Sequence, residues 1–84
     1  MYEVFLESRA ERDLRRLPVE ISHRIIKQIK GLAENPRPPG SRKITGSEND
    51  WRLRVGNYRV IFEIDEKGKA VRIMRVRHRR EAYR

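Results

Sequence analysis

Three arginines in the run WRLRVGNYRVIFEI at 51–64 could together bind a phosphodiester. Arg52, Arg54 and Arg59 lie on either side of Gly56-Asn57, a dipeptide typical of a two-residue β-hairpin turn. Such a turn pairs Arg54 with Arg59 and places Arg52 two residues away on the same sheet face, because side chains alternate along a strand. Guanidinium groups donate paired hydrogen bonds to phosphate, so this clustering favours a polyanionic ligand.

The predicted pairing of Arg54 with Arg59 sets two like charges about 4.5–5.5 Å apart at Cβ, which is locally destabilising. A purely structural sheet could use threonine or an opposite charge at either position. The alternative is a solvated face on which the long side chains splay apart, aided by Glu63. We favour a bound polyanion, because it supplies the negative charge that the face lacks.

The last strand and the tail HRREAYR add further basic residues together with His78 and Tyr83. Cations can stabilise the extra charge of a phosphorane-like transition state. A tyrosine or histidine can move a proton or stack on a base. The two histidines, His23 and His78, lie far apart and the carboxylates are scattered, so we expect no metal site and no cofactor.

Composition sets the class of protein that could carry such a site. The 84 residues include 21 Lys+Arg and 12 Asp+Glu, giving a net charge of +9, and no cysteine. This length predicts a single domain over residues 1–84 and excludes a two-domain enzyme. No apolar run approaches the roughly 20 residues that span a bilayer, and no signal-peptide pattern is visible. We therefore expect a cytoplasmic protein with an anionic partner and no membrane partner.

The first half of the chain predicts a strand and two helices. Residues 2–6 are rich in strand formers, and Ser8 with Glu11 has the spacing of a helix-starting capping box. A second helix is predicted over residues 18–34, with an apolar stripe formed by Ile21, Ile25, Ile29 and Leu32. Two amphipathic helices with a tight joint predict a helical hairpin.

The second half predicts a loop and three strands. Residues 35–50 contain three prolines and two glycines and are predicted to be a loop, with Ile44 pinned to the core. Strands are predicted over 51–55, 58–64 and 71–77. The order β-α-α-β-β-β predicts an α+β fold in which the helical hairpin packs on one face of a small, mainly antiparallel sheet. That core face would carry Trp51, Leu53, Val55, Tyr58, Val60, Phe62 and Ile64.

The run at 51–64, followed by VRHRREAYR at 76–84, resembles the RelE/ParE superfamily of bacterial and archaeal toxins, and RKITG at 42–46 resembles its basic loop motif. The resemblance extends over nearly the whole chain. It implies a ribosome-dependent endoribonuclease that cuts mRNA in the ribosomal A site by attack of the ribose 2′-hydroxyl, without a metal. It also implies a cognate antitoxin. ParE-like members share the fold but poison DNA gyrase.

Carried over by position, the resemblance gives catalytic roles to Arg52, Arg54 and Arg59, which would bind the scissile phosphate. Arg79 best matches the arginine at the end of the last strand, whereas counting back from the tyrosine selects Arg77. Tyr83 matches the C-terminal tyrosine that stacks on a base or handles a proton. RNA contacts are expected from Lys43, Arg77, His78 and Arg80.

One departure from the family concerns the general base. The best-studied member has lysines where this chain has Arg52 and Arg54, and arginine is a poor base because it stays protonated. Either Tyr83 or His78 would then take the proton, or the reaction would run mainly on electrostatics.

Three functions remain open at this point. The first is a RelE-like mRNA endonuclease, the second a ParE-like gyrase poison, and the third a non-catalytic basic RNA-binding module. The third fits less well, because Trp51, Tyr58 and Phe62 point to the core face, away from a stacking surface. The expected partners are the ribosome, mRNA and an acidic antitoxin covering the helical hairpin and part of the basic face.

Overall fold

A computed structural model describes residues 1–82 of the chain and shows an α+β fold, as predicted. Five strands and three helices are present in this part of the chain. In order they are β1 (Glu3–Leu6), α1 (Ser8–Arg15), α2 (Val19–Gly31), β2 (Ser41–Lys43), β3 (Asp50–Val55), β4 (Tyr58–Asp65), β5 (Ala70–His78) and α3 (Arg79–Ala82). None of these helices is long and apolar enough to cross a membrane.

The strands form one sheet in the order β1-β5-β4-β3-β2. All neighbours are antiparallel except β1, which runs parallel to β5. The prediction that residues 35–50 form only a loop is wrong, because β2 lies within them. Its three residues are polar and carry no strand pattern of their own. They are extended because they complete the otherwise open edge of β3, where the Arg54 N–H also donates to the Gly40 carbonyl at 3.1 Å.

The helix ends differ from the predicted ones. Ser8 is the first residue of α1 and not its cap: Glu7 occupies the N-cap position, makes no side-chain cap, and accepts the Glu11 N–H through its backbone carbonyl at 3.0 Å. The prediction that Ser8 and Glu11 form a capping box is therefore wrong. Helix α2 ends at Gly31 instead of residue 34, because the following residues bond three positions back, as when the Glu34 N–H donates to the Gly31 carbonyl.

The core lies between the helices and the predicted face of the sheet. The helices contribute Ala10, Leu14, Ile25 and Ile29, and Leu32 follows directly after α2. The strands contribute Leu53, Val55, Val60, Phe62, Ile64, Val71, Ile73 and Val76. Trp51 and Tyr58 share this face but are only partly buried, and Ile44 is half-buried. Burying each large apolar side chain stabilises the fold by about 1.5–3 kcal/mol, so this core fixes the orientation of the opposite face.

Helix α1 covers the edge of β5 beyond the point where β1 ends. Strand β1 pairs only with residues 70–73. Further along, the carboxylate of Asp13 accepts the Val76 backbone N–H at 2.9 Å and hydrogen bonds from Arg75 at 2.9 and 3.2 Å. A side chain thus satisfies the backbone group that a neighbouring strand would otherwise have bonded. This contact holds the last part of β5 in place.

Candidate functional site

The hairpin register brings three arginines into one line across the sheet. Arg54 of β3 lies directly opposite Arg59 of β4, and Arg59 lies directly opposite Arg77 of β5. The predicted pairing of Arg54 with Arg59 is therefore confirmed. The turn between β3 and β4 has a positive φ of 58° at Gly56, which suits a two-residue turn with glycine in its first position. We call Arg54, Arg59 and Arg77 the arginine row.

A second pair of arginines extends this surface toward the sheet edge. Arg42 of β2 lies directly opposite Arg52 of β3, one step along from the arginine row. A shallow cavity of about 360 Å³ is lined by Gly40, Arg42, Arg52, Arg54 and Arg59. We call this surface, together with Arg77, the arginine face. Its lining has four guanidinium groups and no acidic side chain, so the cavity suits an anion with several oxygen acceptors.

Arg59 is the buried member of the arginine face, with only 8% of its surface exposed. Its Nη1 donates to the Tyr58 carbonyl at 3.1 Å, which fixes the position of the guanidinium. Arg54, directly opposite, is exposed. Burial of a charge is costly, and the neighbouring cations add to that cost. A bound anion would lower both costs, so the charge of this face is compatible with a negatively charged ligand.

Two carboxylates of the described residues are bound to other arginines. Glu63, which was expected to aid a solvated arginine face, forms an ion pair with Arg72 at 3.1 Å. Asp13 pairs with Arg75 at 2.9 Å. Burial alone would raise the pKa of Asp13, but hydrogen bonds from Arg75 and Val76, with the charges of Arg75 and Arg77, lower it below its usual value. Asp13 therefore stays ionised and stays bound to β5.

His78 and Lys43 lie on the opposite side of the sheet from the arginine row. In the strand register His78 pairs with Tyr58, and their rings meet edge to face with centroids 5.2 Å apart. Lys43 pairs with Trp51 at the outer strand. Because directly opposed residues share a sheet face, both lie on the core side. The structure does not bring these two predicted RNA contacts to the arginine face.

Arg79 and Arg80 begin helix α3 and are exposed. The Arg79 backbone N–H donates to the Asn57 carbonyl at 2.7 Å, so the strand ends and the helix starts beside the hairpin turn. Arg77 therefore lies on β5 within the arginine row, whereas Arg79 lies on α3 outside it. Tyr83 lies outside the described residues.

Sequence reasoning missed Arg42 and Asp13. Arg42 was part of a segment predicted to be a loop, and its alignment with Arg52 depends on the pairing of β2 with β3. Asp13 lies on a predicted helix surface, 62 residues from Arg75. Arg42 begins the RKITG motif, but no local signal pairs it with Arg52, and no local signal marks Asp13. Among the described residues, no group of three or more His, Asp or Glu side chains could hold a metal ion.

Similarity to known proteins assigns this small basic chain to the RelE/ParE class of toxins. The sequence model of the family described as ParE toxin of type II toxin–antitoxin system matches residues 4–83, and the chain belongs to this family within the RelE/ParE superfamily. It is also 33% identical over 84 residues to toxin RelE of Mycobacterium tuberculosis, covering 99% of this chain and 87% of that protein. Toxin RelG of the same organism is 33% identical over 87 residues, covering 99% and 97%.

Solved structures give the same result for the fold. The RelBE2 toxin–antitoxin complex of Mycobacterium tuberculosis contains a chain that is 29% identical, with a TM-score of 0.82 over 92% of this chain and 96% of that one. The archaeal RelE–RelB complex from Pyrococcus horikoshii OT3 gives 26% identity and a TM-score of 0.83, covering 93% and 94%. The chain is thus a RelE-like member of a type II toxin family.

Proposed function

We propose that this toxin is a ribosome-dependent endoribonuclease that cuts mRNA in the ribosomal A site and thereby inhibits translation. The observation that carries the proposal is the arginine row, in which the buried guanidinium of Arg59 lies between Arg54 and Arg77. A gyrase poison needs no such arrangement. Cations fixed in advance around one position are what a phosphodiester requires as its charge increases in the transition state.

In the proposed reaction the ribose 2′-oxygen attacks the adjacent phosphorus and loses its proton. The bond from phosphorus to the 5′-oxygen breaks, and that oxygen receives a proton. The products are a 2′,3′-cyclic phosphate and a 5′-hydroxyl, and no metal or cofactor takes part. The fixed guanidinium of Arg59 stabilises the phosphorane-like transition state, while Arg52 and Arg54 bind the phosphate oxygens.

Arg77 takes the place of the strand-end arginine in this proposal. It is aligned with Arg54 and Arg59, whereas Arg79 stands outside the row and is assigned to RNA binding along with Arg80. Lys43, on the other side of the sheet, would contact ribosomal RNA and not the scissile phosphate.

Proton transfer falls to Tyr83 in this proposal. Guanidinium groups stay protonated and do not serve as bases. His78 is directed to the core side, where its Nδ1 accepts the Arg80 backbone N–H at 3.3 Å. A Tyr83→Phe variant is expected to cleave more slowly while still binding the ribosome. Undiminished cleavage by that variant would remove Tyr83 from the proton-transfer step.

The proposed partners are the ribosome, mRNA and a cognate antitoxin in the cytoplasm. The antitoxin is supported by the relatives whose structures are RelE–RelB complexes. With a net charge of +9 on this chain, an acidic antitoxin would bind by charge complementarity.

The second candidate is a ParE-like poison of DNA gyrase, and the family description that names ParE favours it. Primer extension on a translated message, with and without ribosomes, separates the two functions when DNA supercoiling by gyrase is measured in parallel. Cleavage only with ribosomes supports the nuclease. Inhibited supercoiling with an intact message would contradict it.

A further inference from the structure

A second basic cavity lies on the side of α2 that faces the hairpin turn. It has a volume of about 440 Å³, and its lining includes Arg24, Lys27, Gln28, Pro39, Arg54 and Gly56. Arg24 and Lys27 are three residues apart on α2, so they lie on the same side of the helix. Both are exposed, and within the described part of the chain neither forms a salt bridge. We call this cavity the α2 site.

The α2 site adjoins the arginine face through Arg54. Arg54 is a lining residue of both cavities. The loop before β2 borders them as well, with Pro39 on one side and Gly40 on the other. The Gly40 carbonyl accepts the Arg54 N–H at 3.1 Å, which holds this loop against β3. The two cavities are therefore neighbours around one arginine.

Arg24 is directed over the hairpin turn. A Cβ atom at Gly56 would lie 3.6 Å from Nη2 of Arg24. The guanidinium thus lies above the one residue of the turn that has no side chain. It adds a cation beside the turn that joins β3 to β4. The lining of the α2 site, like that of the first cavity, has no acidic side chain.

We propose that the α2 site binds a neighbouring backbone phosphate of the same RNA strand whose scissile phosphate lies on the arginine face. This inference rests on the proposed function. The charge and the polar lining suit a phosphate, and the shared Arg54 places it next to the phosphate that reacts. A strand leaving the arginine face at Arg54 would pass directly over Arg24 and Lys27. The α2 site thereby sets the direction of the message on the toxin.

The salt dependence of RNA binding gives this inference a numerical test. For single strands the logarithm of the binding constant falls with the logarithm of salt by about 0.7 for each phosphate neutralised. Loss of one phosphate contact therefore lowers the slope by about 0.7 and the affinity by about fivefold at roughly 0.1 M salt. We expect this loss in the double variant Arg24→Ala/Lys27→Ala. Both residues are exposed, so the fold should be retained.

A control variant removes the same charge elsewhere. Lys30 and Lys67 are exposed and line neither basic cavity. Lys30→Ala/Lys67→Ala is expected to keep the slope of the unmodified protein. Equal losses in both double variants would show a general effect of net charge and would overturn the α2 site.

The probe is a single-stranded RNA of about ten nucleotides with 2′-O-methyl sugars, which have no free 2′-hydroxyl and cannot be cleaved. Its binding is measured by fluorescence anisotropy. A trinucleotide of the same chemistry, which fills only the arginine face, is compared with it. Arg24→Ala/Lys27→Ala should weaken binding of the longer strand and leave the trinucleotide unchanged. An equal loss for both lengths, or no loss, would overturn the inference.

Two further outcomes separate this inference from the proposed function. If the unmodified protein binds the RNA and Arg52→Ala weakens that binding, the arginine face stands, and normal binding by Arg24→Ala/Lys27→Ala then overturns only the α2 site. If Arg52→Ala binds normally, the arginine face does not bind the phosphate and the proposed function fails as well. A loss of affinity for the antitoxin without any loss for RNA would assign the α2 site to a protein partner and overturn the inference.

Discussion

Asp13 and Arg75 join helix α1 to strand β5 by a two-pronged ion pair, with Nε to Oδ2 at 2.9 Å and Nη2 to Oδ1 at 3.2 Å. The same Oδ2 accepts the Val76 backbone N–H at 2.9 Å. Arg77 is the next residue along the strand. The Asp13 carboxylate thus fixes the β5 backbone beside Arg77. It also occupies the guanidinium of Arg75, so Arg75 is not available to bind RNA.

Replacing Asp13 by asparagine is expected to lower the free energy of unfolding by about 1–3 kcal/mol, because it removes a charge-assisted hydrogen bond that is mostly shielded from water. Urea denaturation measures this value. The matched control is Glu11→Ala on the same helix, which breaks the exposed ion pair with Arg15 at 3.1 Å and should cost less than about 1 kcal/mol. An equal effect of the two substitutions would contradict the role given to Asp13.

The lowered pKa of Asp13 predicts a defined loss of stability in acid. Its folded-state pKa lies below the ordinary value of 3.8, so the unfolded chain binds more protons there and stability rises with pH. The stabilisation is fully present above the unfolded-state pKa and is lost as pH falls through the folded-state pKa. Unfolding free energies of the protein and of Asp13→Asn should therefore converge below about pH 4. A gap that stays constant down to about pH 2 would contradict this assignment.

Arg77 and Arg79 should differ in their effect on cleavage. Arg77 is in the arginine row, so Arg77→Ala is expected to lower kcat by about 10²–10³, the usual cost of losing one transition-state donor. Arg79 begins α3 outside the row, and Arg79→Ala should change kcat by less than about tenfold. Single-turnover cleavage on stalled ribosomes measures both. A larger loss of kcat in Arg79→Ala than in Arg77→Ala would instead assign the catalytic role at the end of the last strand to Arg79.

Arg54 is expected to lower the unfolding free energy of the RNA-free protein and to raise its affinity for RNA. Arg54→Thr removes a like-charge pair with Arg59 and introduces a good strand former, so the free energy of unfolding without RNA should rise by about 0.2–1 kcal/mol. RNA affinity should fall in the same variant. Thermal unfolding measures the stability and fluorescence anisotropy measures the RNA affinity, both on the same preparation of each protein. Lower stability with unchanged RNA binding would show that the pairing of these arginines is structural.

The hairpin could be predicted from the sequence because its register depends on local features. Gly56-Asn57 fixes the turn, and the alternation of apolar and charged residues fixes which side faces the core. The opposition of Arg54 to Arg59 follows from these two facts. The same reasoning identified the apolar stripe of α2, of which Ile25, Ile29 and Leu32 are buried.

The remaining features of the site depend on contacts between distant parts of the chain. Strand β2 has no strand pattern and is extended only because β3 offers it an open edge. The choice between Arg77 and Arg79 depends on where β5 ends, which the bond from the Arg79 N–H to the Asn57 carbonyl determines. Spacing along the chain could not decide either point.

The chemistry of the cut message tests the proposed cleavage most directly. Purified toxin is added to ribosomes translating a defined message, and the new ends are analysed by primer extension and mass spectrometry, with Arg59→Ala as the comparison. We predict cuts only when ribosomes are present, ends that carry a 2′,3′-cyclic phosphate and a 5′-hydroxyl, and a loss of about 10²–10³ in rate for Arg59→Ala. An intact message, or cleavage that Arg59→Ala leaves unchanged, would contradict the arginine row as the site of phosphodiester cleavage.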